Sequence, residues 1–359
     1  YRSTFLGPYD GAGFGLPGQT VFNKDTAAAD WLDGEVRLSA QLWEKHLITL
    51  GGDFRHDLNI RQESFNVEPF SVTADVRSHN DNAGLYAQDE FSICTNLILN
   101  AGERYDYFES FGGTVNPRAA LIYSPFAATT LKAIYGQAFR APNAYEQDYQ
   151  FPGPNGYLPN PDLRPEQIRS YELVWEQTLG EHWRLTTDAF YNDIKDLITQ
   201  VYDPNLEAYI FRNTDQVDAR GVELEAAGQW KSGFRGSASY SFVEAYEQSA
   251  TLSRQPLVNS PKHLGKLQIS LPVWPEHVLA SFDAQATSGR RTLAGSVPGF
   301  VTLNFTLLSY RIVKGLEASV SVYNLLNQSY RDPVAADLSP LDSVEQDGRS
   351  FRFKLTYRF

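Results

Sequence analysis

The sequence predicts an all-β protein, a transmembrane antiparallel β-barrel, and three observations carry that prediction. Apolar and polar residues alternate with period two over stretch after stretch. The connections between those stretches are short and long in turn. Finally, although 42% of the residues are hydrophobic, no apolar run approaches the ~20 residues that a membrane helix needs. L-I-L near Ile98 and V-T-L-N-F-T-L-L from Val301 are among the longest uncharged apolar stretches. A barrel strand crosses with only ~9 to 11 residues and turns every second side chain to lipid. A mean hydropathy of -0.37 therefore does not count against a membrane protein of this kind.

Period-two stretches bounded by turn residues place strands near 33–42, 46–56, 82–92, 96–107, 116–124, 128–140, 167–179, 182–202, 208–229, 234–244, 262–272, 276–288, 299–310, 316–327 and 349–359. An antiparallel single-chain bacterial barrel closes with an even number of strands, so about fifteen implies that some are missing. The chain has no Met at all, and its start at Tyr1 reads as loop. The sequence is thus expected to be the later part of a larger chain, cut at Tyr1.

W-E-K-H, I-C-T-N, S-P-F-A, L-G-E-H, W-K-S-G, P-V-W-P-E and R-I-V-K-G are tight turns. Between them lie longer connections: a segment reaching Asn82, a loop through Gly112, Ala141 to Glu166, D-P-N-L-E, Ala245 to Pro261, T-S-G-R-R-T-L-A-G-S-V, and Gln328 to Gly348. This sorting puts the tight turns on one rim and the long loops on the other. Outer-membrane barrels have that layout, whereas a soluble sandwich has no reason to sort its loops by length.

The alternation separates two chemistries. Val222, Leu224, Ala226 and Trp230 share a parity, and Glu223 and Glu225 take the other. Tyr171, Leu173 and Trp175 likewise oppose Glu172 and Glu176, and Leu316, Ala318, Val320 and Val322 oppose Glu317, Ser319 and Ser321. One face suits lipid; the other, with Glu172, Glu176, Glu223 and Glu225, suits a wet lumen. Most of the six Trp fall at strand ends or turns, where an amphipathic ring sits at a membrane interface. The chain closes on S-F-R-F-K-L-T-Y-R-F, whose Phe351, Phe353, Leu355, Tyr357 and Phe359 form a lipid-facing row. Arg352, Lys354, Thr356 and Arg358 alternate with them, and this last strand is expected to close the barrel.

Several functions are disfavoured. A net charge of -12 opposes nucleic acid as a partner, because phosphate demands clustered Lys and Arg. The single Cys94 offers no disulfide and no Cys/His metal pattern, and is expected to be a small buried or half-buried residue. No nucleophile elbow, H-E-x-x-H pair or Walker sequence occurs, and the six His are dispersed. No enzyme, cofactor or metal site is expected. G-A-G-F-G at Gly11 to Gly15 lacks the strand and helix of a phosphate loop and reads as a flexible loop. Asp332, Asp337, Asp342, Glu345 and Asp347 match no fixed calcium spacing and read as a solvated acidic face.

The loop A-P-N-A-Y-E-Q-D-Y-Q-F-P-G-P-N-G-Y-L-P-N-P-D-L-R-P-E has a length that marks a loop as either functional or disordered. Tyr145, Tyr149, Phe151 and Tyr157 offer rigid contact surface for a ligand, and Glu146 and Asp148 add negative charge. The alternative is that these loops pack on one another and shield the mouth.

Y-G-Q-A-F-R-A-P-N-A-Y-E from Tyr135, N-P-D-L-R-P-E-Q-I-R-S-Y-E-L from Asn160, F-Y-N-D-I-K-D-L-I at Phe190, A-R-G-V-E-L-E at Ala219 and V-Y-N-L-L-N-Q-S-Y-R-D-P at Val322 together resemble the TonB-dependent outer-membrane receptor family. The resemblance runs in order from about Ala83 to the C-terminal strand. Val174 stands where many members have Gly after Y-E-L. The family's plug domain and TonB box have no counterpart here, so residues 1–359 are expected to be part of its barrel domain, the C-terminal part of a 22-stranded barrel. The resemblance implies an outer-membrane importer with long loops extracellular, and short turns and C-terminus periplasmic. It implies ligand capture by the loops and energy from the TonB–ExbB–ExbD complex acting through a plug. It further implies that the barrel-assembly machinery recognises the terminal aromatic strand.

Iron-siderophore complexes are the expected cargo, with cobalamin, haem and other metal chelates or glycans as alternatives. Arg140, Pro142 and Asn143 are expected to fix the loop's exit and line the vestibule, so Arg140 and Asn143 join the loop residues as ligand-binding candidates. A passive porin, in which the polar lumen alone carries solutes, is the alternative function.

Overall fold

The computed structural model describes residues 1–10, 16, 18–151, 156–249, 253–334 and 341–359. Gly11 to Gly15 and Asp337 lie outside them. Alternation of polar and apolar residues becomes strand almost throughout, and no helix is long and apolar enough to cross a membrane. β1 (Arg2–Asp10) leads to β2 (Thr20–Leu42) and β3 (His46–Asn66), on which β4 (Ser71–Ser78) folds back as a short extension. β5 (Asn82–Cys94), β6 (Leu97–Phe108), β7 (Gly112–Phe126) and β8 (Thr129–Arg140) follow. The next loop carries α1 (Ala144–Asp148) and β9 (Gly156–Leu158).

β10 (Glu166–Leu179), β11 (Trp183–Asp203), β12 (Ala208–Gln229) and β13 (Arg235–Ser249) are long strands, and β14 (Gln255–Pro256) is appended to β13. β15 (His263–Trp274) and β16 (Val278–Thr287) precede a small hairpin of β17 (Arg290–Arg291) and β18 (Ser296–Val297). β19 (Phe300–Val313) and β20 (Leu316–Tyr323) lead to a second small hairpin, β21 (Arg331–Pro333) with β22 (Ser343–Glu345), and β23 (Ser350–Tyr357) ends the sheet.

Nineteen strands form one sheet. β4, β9 and β14 are appendages, and the other sixteen make an antiparallel meander. All fifteen expected strands are present. The sixteenth is β1, in the segment read as loop: R-S-T-F-L-G-P-Y-D has a Gly-Pro break and poor alternation, yet pairs with β2 from Arg2↔Ala28 to Asp10↔Thr20. Pro8 is tolerated because an edge strand need not donate every amide. The parity argument from an odd strand number therefore falls. Among the described residues β23 pairs with β20, and no pairing joins it to β1. The last strand is the sheet's edge here rather than its closure.

The rims sort by length only in part: the long-loop rim also holds a three-residue link from β6 to β7 and a four-residue link from β11 to β12, because those strands themselves run on past the wall. Two or three residues link β2 to β3, β5 to β6, β7 to β8, β10 to β11, β15 to β16 and β19 to β20, and five link β12 to β13. Trp43 and Glu44 both take positive φ, 48° and 61°, the twist that a tight hairpin needs. Gly180, at φ 59°, meets the same demand without a Cβ penalty. Cys94 ends β5 at one such turn and is exposed, not buried as expected. Its position on the turn rim leaves nothing to pack over it, and its thiol donates to Asn96 Oδ1 at 3.2 Å.

Register then builds the faces. Leu99, Leu121, Ala133, Leu173, Ala189, Val222 and Phe242 are cross-strand neighbours in one row from β6 to β13. Leu173 is 65% exposed, and Leu85, Leu121, Val222, Val320 and many other large apolar residues are exposed with it. A surface like this on so many strands is far larger than a water-facing protein carries; it is a lipid-facing wall.

Tyr135, Tyr171 and Tyr191 stack sideways across three strands above that row, with ring centres 5.1 and 6.3 Å apart. Below it, Trp183, Trp230 and Phe234 cluster at the short-turn rim, 5.1 and 4.6 Å apart. From Tyr191 down β11 to Trp183 is about 26 Å at ~3.3 Å per residue, or ~20 Å in height at a strand tilt of ~40°. Two aromatic belts at that spacing suit an outer-membrane apolar band of ~25 Å.

Candidate ligand-binding mouth

Glu172, Glu176, Glu223 and Glu225 lie on the face opposite Leu173, Trp175, Val222 and Leu224, as the alternation of their paired strands requires. Glu176 pairs with Lys132 at 2.8 Å, and Glu172 accepts from Ser170 Oγ at 2.9 Å. The same polar face continues across β2, β3, β5 and β6. There Arg104 is gripped by Asp53 at 2.8 Å and Asp106 at 2.5 Å, and Tyr86 donates to Glu35 at 2.7 Å. Glu35, Tyr86, Arg104 and Asp106, with Gln88 and Arg118, border a cavity of about 620 Å³ on the inner wall.

At the long-loop rim the segment after β8 is built around one arginine. Arg140 stands directly opposite Glu166 in the β8–β10 pairing. Its guanidinium donates to Glu166 through Nε and Nη2, both at 2.6 Å, and to Glu146 through Nη1 and Nη2, both at 3.0 Å. Two forked carboxylate pairs take four of the five guanidinium N–H donors. Glu146, only 9% exposed, also closes the helix start: Asn143 Oδ1 accepts from the Glu146 amide at 3.0 Å, and Glu146 Oε2 accepts from the Asn143 amide at 2.8 Å. That reciprocal capping box explains a helix of one turn after A-P-N.

Glu166 reaches further, accepting from the Ile198 amide at 2.9 Å, where β11 breaks register around Asp196 at φ 56°. Burial raises the Glu166 carboxyl, but the hydrogen bonds from Arg140 and Ile198 outweigh it and hold the group below its ordinary range. Glu166 sits at the mouth end of β10, above the residues that a crossing of ~9 to 11 needs counted from the turn rim.

N-P-D-L-R-P-E seals the loop against β11 and β12. Asn160 Nδ2 donates to Phe211 O at 2.8 Å, and Leu163 is 1% exposed. Arg164 pairs with Asp196 at 2.7 Å, and Asn213 bonds both the amide and the carbonyl of Arg164. Leu163, Glu166 and Asn213 were not singled out by the sequence reading. Glu166 closes the N-P-D-L-R-P-E motif, but its partner Arg140 lies 26 residues earlier and meets it only through the β8–β10 pairing.

The aromatic candidates gather in one cluster. Tyr145 packs on Tyr149 at 4.7 Å and on Phe211 at 5.8 Å, Tyr149 on Tyr157 at 6.0 Å, and Tyr157 on Tyr209 at 5.8 Å. Phe151 forms a bridge with Tyr157, and β9 adds in parallel to β12, from Gly156↔Ala208 to Leu158↔Ile210. Burial, then the charge of Asp25, pushes the Tyr149 hydroxyl well above its usual range. Tyr145 keeps 42% exposure. Phe151 and Tyr157 border a cavity of about 410 Å³, and Asn143 and Asp148 border another of about 370 Å³ beneath α1. The structure thus brings all eight mouth candidates into one loop unit, with Arg140 and Asn143 each bonded to Glu146 and the aromatics packed beside them.

Two acidic residues of the last long loop bond the loop between β16 and β19, and Glu345 bonds within its own loop. Asp332 accepts from Arg290 at 2.5 Å, Asp342 from Thr292 Oγ1 at 2.6 Å and the Ala294 amide at 2.9 Å, and Glu345 from Ser329 at 3.1 Å. Among the described residues no group of three or more His, Cys, Asp or Glu could hold a metal ion.

Comparison with known proteins agrees with this architecture. The family model described as TonB dependent receptor-like, beta-barrel matches residues 1–325. The "Iron-regulated outer membrane virulence protein" of Vibrio cholerae serotype O1 is 24% identical over 304 residues, covering 79% of this chain and 46% of the relative. Among solved structures, the siderophore receptor PirA of Acinetobacter baumannii superposes with a TM-score of 0.75 at 16% identity, over 100% of this chain and 59% of that one. The FrpB iron transporter of Neisseria meningitidis gives 0.73 at 15% identity, with 100% and 59% coverage. The chain spans about half the length of the curated relative. A family model covering nine-tenths of the sequence, on a sheet with lipid-facing and polar walls, leads to one conclusion: the chain belongs to the TonB-dependent outer-membrane receptor family, as β-barrel.

Proposed function

We propose that this chain is part of the barrel of a receptor that actively imports an iron-siderophore complex, or a similar metal chelate such as cobalamin or haem. The observation that carries the reading is the loop from Ala141 to Glu166. It is clamped by Arg140 and carries Tyr145, Tyr149, Phe151 and Tyr157 at the rim of a polar-walled sheet. A rigid aromatic surface at a mouth loses little entropy when a ligand settles on it. Three similar proteins bear iron or siderophore in their names, which favours that cargo. In this reading the long loops are extracellular, and the short turns and C-terminus are periplasmic. The TonB–ExbB–ExbD complex acts through a plug domain, and Phe351, Phe353, Leu355, Tyr357 and Phe359 engage the barrel-assembly machinery.

Uptake of radiolabelled ferric chelates by cells expressing the full-length gene tests the proposal. Uptake should require TonB and should fall when Tyr145 and Tyr157 are both replaced by Ala. Uptake that persists unchanged after TonB deletion would overturn active import.

A further inference from the structure

The lipid-facing wall is not smooth: a groove of about 500 Å³ runs over its outer surface between β6 and β11. Small residues, Ala119, Ala133 and Ala189, make its floor, and Leu121 and Leu173 stand at its sides. Tyr135, Tyr171 and Tyr191 close it toward the long-loop rim. Among the described residues none of these three hydroxyls makes a hydrogen bond.

Positive charge collects directly above it. Arg169 is exposed and stands two residues beyond Tyr171 on the same face, opposite Gln137 on β8 and Asp193 on β11. Among the described residues its guanidinium has no hydrogen-bond or ion-pair partner, while Asp193 is taken by Lys195 at 3.2 Å. Beside it Asp218 is held by Arg254 at 2.7 Å, and Glu244 by Arg220 at 2.9 Å and Lys262 at 3.5 Å. Five cations thus meet three carboxylates on this patch, in a chain whose net charge is -12. Glu103, which shares the outer face, is three strands away on β6. Arg169 lies ten residues from Leu179 at the turn end of β10. That is ~33 Å along the strand and ~25 Å in height at a tilt of ~40°, the top of the apolar band.

Chemistry fixes the occupant. An alkyl chain matches the groove, and a phosphate matches an unpaired guanidinium, which grips two of its oxygens in a fork. Phenol hydroxyls donate to the oxygens that remain. A second copy of this chain, meeting the patch across a two-fold axis, would bring cation against cation. We propose that this part of the outer wall binds one phosphorylated lipid of the leaflet on the long-loop side. An acyl chain lies in the groove, and the headgroup phosphate sits on Arg169, with Tyr171 and Tyr191 beside it.

Native mass spectrometry of the detergent-solubilised full-length receptor tests this, with dioleoyl phosphatidylglycerol as one probe and dioleoyl phosphatidylcholine as the other. The chains are the same, but the choline cation of the second neutralises its phosphate, so phosphatidylglycerol should bind more tightly. Its affinity should fall about tenfold in Arg169→Gln, as expected when a charged hydrogen-bond partner is lost, and less in Arg169→Lys. Phosphatidylcholine should hardly notice either change. Ala133→Phe fills the groove and should weaken both lipids alike. Arg169 is exposed and Ala133 faces lipid, so both variants should fold, which heat-modifiable gel mobility verifies. Equal affinity for the two lipids in wild type would overturn the proposal, as would phosphatidylglycerol affinity within twofold of wild type in folded Arg169→Gln or Ala133→Phe; the wall would then hold only unselective lipid. A lipid-free dimer that is lost in Arg169→Gln would overturn it in favour of a second copy.

Discussion

Replacing Arg140 by Gln should release the mouth loop without unfolding the barrel. The side chain forms forked pairs with Glu146 and Glu166, whose side chains are 11% and 13% exposed, while its own is 44% exposed. Removing one partner of a fully buried ion pair costs ~3 to 5 kcal/mol, and exposed pairs are worth ~0 to 1. A half-exposed arginine that strands two nearly buried carboxylates falls between, at about 2 kcal/mol. The long-range pairing of the sheet does not depend on Arg140, so the loss is confined to local opening of residues 141–165.

About 2 kcal/mol corresponds to roughly thirtyfold faster amide exchange where exchange follows that opening. Hydrogen-exchange mass spectrometry on the detergent-solubilised protein reads this directly, with the 230–234 turn as internal control. Arg140→Lys keeps the charge but loses the fork and should lie between wild type and Gln. Exchange across 141–165 within twofold of wild type in Arg140→Gln would refute the clamp as the loop's anchor.

The same clamp predicts a pH response. The Glu166 carboxyl is held below its ordinary range, so its contribution is complete above that range and is lost as pH falls through the lowered folded value. Relative to Arg140→Gln, the protection of the loop in wild type should therefore shrink only under acid, at pH below the ordinary range of a Glu carboxyl. Leu173→Arg puts a charge on the lipid-facing row and should destabilise the folded barrel by ~2 to 4 kcal/mol in urea titrations in lipid. Glu223→Gln, on the opposite face, should change it far less; equal losses would contradict the assigned faces. Deleting Phe359 should lower the yield of heat-modifiable folded protein in the outer membrane, and unchanged yield would remove the terminal aromatic from assembly.

How much was legible in advance depends on the range of the interaction. Period-two alternation needs no partner, so Leu173 against Glu172 and Val222 against Glu223 were assigned correctly before any pairing was known. The tight turns were likewise visible, since a two- or three-residue connection can only join adjacent antiparallel strands. β1 escaped because an edge strand is held by backbone pairing to β2 rather than by a half-buried face. Cys94 was placed inside because composition knows residue habits and not rim positions.

The sequence by itself determined the family, fifteen of the sixteen strands of the meander and the alternation of their two faces. The tertiary structure alone decided what the mouth is made of. Arg140 meets Glu166 because β8 pairs with β10 in one register, and Asn160 reaches Phe211 across 51 residues. Gln147, Ser78, Ser110 and Asn82 share a cavity only because α1 folds over the ends of β4, β5 and β6. Alternation is a local property of the backbone, one residue up and one down. Convergence of side chains from distant segments is set by register and loop packing, which no local pattern encodes.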